Sequence, residues 1–136
     1  MLSPSSQTIR LFLHILSASV WVGGQIVIGV LVPKMRRFSA DSTKILAQAF
    51  ARVAWPAFAL LVVTGIWNIL AVDSTDLSTA YQITMFVHIL MGVATAMFAF
   101  VHSIGQTKFA IAVGGALGLL TSLVAMFVGI LLQTGH

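Results

Sequence analysis

Four apolar stretches, each about as long as a lipid bilayer is thick, decide what this chain can become. They run from about Ile9 to Val32, Ile45 to Val72, Tyr81 to Ile104 and Phe109 to Gln133. A helix needs about 20 such residues to cross the hydrocarbon core. In lipid every backbone N–H and C=O must be paired within the segment, which excludes open strands. The stretches are also too continuous for barrel strands, which alternate apolar and polar residues. Only 7% of the residues are charged, against about 25% in a soluble domain. The expected fold is therefore all-α: a transmembrane four-helix bundle, up-down-up-down because short connections make neighbours antiparallel. At 136 residues it is expected to form a single transmembrane domain over 1–136.

The charges predict orientation. Lys34, Arg36, Arg37 and Lys44 lie between the first two spans with Arg52 just beyond, and Lys108 lies between the last two. Asp73 and Asp76 occupy the middle connection. The positive-inside rule places the basic loops in the cytoplasm and both termini outside, in a multi-pass protein of the cytoplasmic (inner) membrane. Arg10 is the one basic residue on the outer side. The net charge of +4 and pI near 10.4 are thus read as topology, not as nucleic-acid binding. The first stretch is followed by basic residues rather than a small-residue cleavage site, so it reads as a retained helix. Pro33 is expected to end the first span, and Pro56 to kink the second or set off its first turn. Gly114, Gly118 and Ser122 recur every four residues, which suits close helix packing within the bundle or a homodimer seam.

Polar side chains in hydrocarbon need a partner or a purpose. His14 and His88 sit at similar depths beneath the outer ends of two spans that run in the same direction. His14, Ser17, Trp21 and Gln25 share one stripe; Tyr81, Thr84, His88, Gly92 and Thr95 share another. Thr64, Trp67 and Asn68 are expected at the same level. With no cysteine in the chain, metal ligands must come from His, Met, Asp, Gln or backbone oxygen. Imidazole suits copper, zinc, nickel and iron. Two facing histidines also suit a b-type haem, with Gly92 leaving room for the macrocycle. Against this stands a packing role, in which the histidines bond Asn68, Thr64 or backbone carbonyls. Met85 and Met91 flank His88 and offer thioethers to copper, or simply fill space. His136 is either a loose tail or a capture point for metal at the outer mouth. His102, at the inner end, reads as a solvated interfacial residue or a second metal site. No nucleophile, acid pair or phosphate loop is visible.

Three stretches, LHILSASVWVGGQIVIGVLVPKMRR, FARVAWPAFALLVVTGIWNIL and LSTAYQITMFVHILMGV, resemble membrane proteins of the copper-resistance D (CopD) type across most of residues 10–104. The resemblance implies copper binding or transfer at the cytoplasmic membrane, beside a periplasmic copper-binding or redox partner. A more distant likeness is to HemJ-like protoporphyrinogen oxidases, which implies a haem held by a first-helix histidine. Where that pattern leads one to expect lysine in the third helix, this chain has His88, which favours a bis-imidazole site for copper or haem b. The remaining alternative is a non-catalytic accessory subunit.

Overall fold

The computed structural model describes residues 3–73 and 77–135. Among them are four α-helices and no strand: α1 (Ser6–Met35), α2 (Ala40–Leu70), α3 (Thr79–Ile104) and α4 (Lys108–Thr134). All four are long and apolar enough to cross a membrane. The expected all-α class stands, and the chain is a multi-pass membrane protein.

Each helix starts on a hydroxyl. Ser5, Ser39, Ser78 and Thr107 accept the N–H of Thr8, Ser42, Tyr81 and Ala110 respectively. Such a cap satisfies a donor left over from the first turn and is worth about 1 kcal/mol. Caps lie in polar sequence, so the helices outrun the apolar stretches; α2 begins at Ala40, five residues before Ile45. Pro33 does not end α1, which continues to Met35. One missing N–H in the last turns is tolerated because the bond from Arg36 N–H to Val32 O carries the helix past it. Pro56 lies within a continuous α2.

The chain divides into two compact units, Met1–Val72 and Asp73–His136. Each is an antiparallel helical hairpin, α1 on α2 and α3 on α4. The surface is inside-out relative to a soluble protein. Phe12, Phe86, Phe109 and Phe127 are exposed, whereas Arg10, Ser17, Thr64, Thr95 and Ser122 are buried. An apolar exterior this continuous matches a lipid bilayer as its surroundings.

Small residues let the helices of each hairpin approach. A Cβ on Gly114 would lie 2.7 Å from the backbone N of His102 and 3.0 Å from the Phe98 carbonyl oxygen. Gly118 and Ser122 are buried in the same seam. The stripe expected to serve either bundle packing or a homodimer is therefore occupied by α3 of its own chain. In the first hairpin Gly24 lies under the Phe50 ring. Trp21 is buried against Phe58 and Trp55, with ring centroids 4.5 and 5.8 Å away.

Candidate metal-ligating histidines

His14 and His88 stand at equivalent places, the ninth residue of α1 and the tenth of α3. Each faces the partner helix of its own hairpin. His14 Nδ1 lies 3.0 Å from Thr64 Oγ1. The Thr64 hydroxyl gives its one proton to the α2 backbone, chiefly the Leu60 carbonyl at 2.7 Å with Leu61 O at 3.1 Å, so toward His14 it is an acceptor. The proton between them therefore belongs to His14 Nδ1. His88 Nδ1 lies 2.9 Å from the carbonyl oxygen of Ala125, which can only accept, so His88 Nδ1–H is the donor. In the tautomer that these bonds select, the lone pair of each ring is on Nε2.

Glycine clears room for the His88 ring: a Cβ on Gly129 would lie 3.1 Å from His88 Cε1, whereas one on Gly65 would make only an ordinary contact with His14 Cε1 at 3.4 Å. Gly129 is also one turn beyond Ala125, where a side chain would cover the carbonyl that His88 reaches. The device recurs at the other end of α3. His102 Nδ1–H donates to Ile111 O at 2.7 Å, and a Cβ on Gly115 would meet that nitrogen at 3.0 Å. His88 and His102 are fourteen residues apart, as are Ala125 and Ile111. Between them Thr95 Oγ1 donates to Thr121 Oγ1 at 3.0 Å. His102 is thus exposed but tied to α4, not simply solvated.

The other expected site residues are distributed as follows. Asn68 is on the α1–α2 seam but does not serve a histidine; its Oδ1 accepts from Arg10 Nε. The antiparallel register pairs Arg10 with Asn68 and, one turn on, His14 with Thr64. Arg10, read as an outer-side charge, is buried at 8% exposure. Sequence reasoning missed it, although it lies four residues before His14 on the same stripe. Ser17, further along that stripe, has a buried hydroxyl with no hydrogen-bond partner among the described residues. Trp21 is buried in its aromatic cluster, and Trp67 is turned away, 43% exposed. Met85, Met91 and Gly92 are half-buried on α3, and a Cβ on Gly92 would meet nothing of its hairpin within 4 Å. His136 and Asp76 lie outside the described residues. Among the described residues no three His, Cys, Asp or Glu side chains converge.

Thr64→Val keeps the shape of the seam but removes the acceptor for His14 Nδ1–H. The expected cost is about 0.6 kcal/mol, with roughly 1.7 as the upper end for such bonds in membrane helices. Reversible unfolding in detergent measures it.

Comparison with protein-family models, with curated proteins and with solved structures finds no match to this chain.

Proposed function

We propose that this is a CopD-like membrane protein that binds a metal through Nε2 of His14 and of His88. One observation carries the reading: each imidazole gives its Nδ1–H to a fixed protein acceptor. Metal-bound histidines nearly always have such an acceptor behind them, because it sets the tautomer, aims the ring and raises its basicity. Copper is the first occupant, on the strength of the CopD-like stretches. Imidazole suits it, and Met85 and Met91, three residues either side of His88, add thioethers suited to the cuprous ion. The activity is then copper binding or transfer at the cytoplasmic membrane, with a periplasmic copper-binding or redox partner.

A b-type haem is the second occupant, favoured by the open space at Gly92, one turn beyond His88. The imidazoles of His14 and His88 would hold the haem, which would supply one-electron chemistry.

The purified protein distinguishes these by metal analysis and visible spectrum. A Soret band lost in His14→Ala and His88→Ala identifies haem. A colourless protein with stoichiometric copper, lost in the same variants, identifies copper. A protein with neither leaves an accessory subunit. The orientation is tested separately. The chain contains no cysteine, so Asp73→Cys and Gln106→Cys each introduce one thiol. With both termini outside, an impermeant maleimide labels the first in intact cells and the second only after permeabilisation.

A further inference from the structure

We infer that the exposed face of α2 carrying Lys44, Gln48, Arg52 and Trp55 binds an anionic phospholipid, with the headgroup on the bases and an acyl chain along the helix below them. These residues follow one another at steps of four, four and three, so they form one stripe. All four are exposed. The stripe continues at Ala59 and Val62, which are exposed as well. Along α2 this face therefore changes from charged to aromatic to apolar. A phospholipid presents its matching parts in the same order: phosphate, glycerol esters, acyl chain. The depth agrees. At 1.5 Å per residue, Arg52 lies about 27 Å and Lys44 about 39 Å from Leu70 at the other end of α2. The hydrocarbon core is about 30 Å thick and the whole bilayer about 40–45 Å. With Leu70 at one edge of the hydrocarbon, Arg52 reaches the opposite edge and Lys44 the headgroup layer. Trp55 is held for an interfacial role. Its ring centroid lies 5.8 Å from that of Trp21 and 6.1 Å from that of Phe58, both edge-on. Its exposed indole suits the boundary, where one end is apolar and the other wet.

Charge selects the kind of lipid. Lys34, Arg36 and Arg37 lie at the same end of the hairpin as Lys44. Asp41, one turn beyond Lys44 on the same face, is the one acidic side chain there. None of these bases, nor Arg52, makes an ion pair with a described residue. Asp73 and Asp76 follow the far end of α2, and residues 77–136 contain no acidic side chain. Five bases against one acid attract anionic headgroups, each base near the surface adding about fivefold. A zwitterionic headgroup offers the same phosphate but brings its own cation, which the bases repel. Either leaflet can supply this partner, so neither the orientation nor the imidazole reading enters.

The test uses the full chain in phosphatidylcholine nanodiscs. Phosphatidylglycerol or phosphatidylcholine with brominated acyl chains is added at equal mole fraction, and quenching of tryptophan fluorescence is read. The wild type should be quenched more by the anionic lipid. That excess should vanish in Trp55→Phe, although Trp67 is also exposed, and should shrink in high salt. Lys44→Gln and Arg52→Gln should each lower the anionic preference about fivefold, and together by more than tenfold. Both variants should melt like wild type in pure phosphatidylcholine, because neither side chain has an ion partner within the chain. Equal quenching of wild type by the two lipids would overturn the inference and leave this face to a protein or to nothing. An excess that survives Trp55→Phe, or the paired glutamine variant, would overturn it too. Inorganic phosphate is the third probe: if it removes the excess at a concentration equal to the lipid's, the face takes a free anion and the lipid proposal falls. Should the paired variant fail to accumulate, the single variants give the same reading.

Discussion

If His88 holds the proposed metal, the His88→Asn variant should keep the second hairpin folded and lose that metal. The amide nitrogen of asparagine occupies nearly the place of imidazole Nδ1, so it still donates to Ala125 O, 2.9 Å away in the native protein. It has no counterpart to Nε2. Loss of an acceptor behind a metal ligand already costs 10–100-fold in affinity, so loss of the ligating nitrogen should cost about 100-fold or more. His14→Asn should behave alike, with Thr64 as the retained acceptor. His88→Ala is the less informative variant because it removes the interhelical bond as well. The measurement is metal or haem per folded chain, with helical content by circular dichroism as the control. His88→Asn and His14→Asn proteins that hold metal as tightly as wild type would refute imidazole ligation and leave these residues as helix ties.

The largest effect on stability is expected from Gly114→Leu. The Cβ alone would sit 2.7 Å from a backbone nitrogen and 3.0 Å from a backbone oxygen of α3. Neither atom can swing aside as a side chain does, so the two helices must part along the seam. Overpacking of this kind costs roughly 1–3 kcal/mol, and a branched side chain belongs at the upper end. Gly92→Ala is the matched control on α3, because its Cβ meets nothing of the hairpin within 4 Å. It should change stability by less than about 0.5 kcal/mol. Unfolding of both variants by a denaturing detergent, followed by circular dichroism, makes the comparison. Equal stabilities would show that α3 does not pack on this face of α4.

The spans were legible in the sequence because lipid imposes one simple demand, a long apolar run, and nothing in the fold overrides it. Their ends were less so. Ser5, Ser39, Ser78 and Thr107 extend the helices into polar sequence, which hydropathy cannot follow. The small face of α4 was visible from Gly114, Gly118 and Ser122, but spacing alone does not say which helix it meets. The turn of His14 and His88 toward a neighbouring helix was visible from their stripes, and Thr64 and backbone carbonyls were among the partners expected for a packing role; which ring takes which partner was not visible. That depends on the register between two helices, and register is set by contacts distant in sequence. Asn68 was one of the partners expected for a histidine, whereas the register gives it to Arg10. Counting basic residues for topology treats every one as solvated, which concealed the one that is not. A signal was present: Arg10 and His14 on one helix, and Thr64 and Asn68 on the other, all repeat at four residues.

The twin ties from His88 and His102 to carbonyls of α4 lie fourteen residues apart on both helices and so act as two pins in one hinge plate. A slip of α3 along α4 by one turn, about 5.4 Å, would break both at once. A swing about either pin is stopped by the other, so the second hairpin is held against sliding and against splaying by the same two bonds.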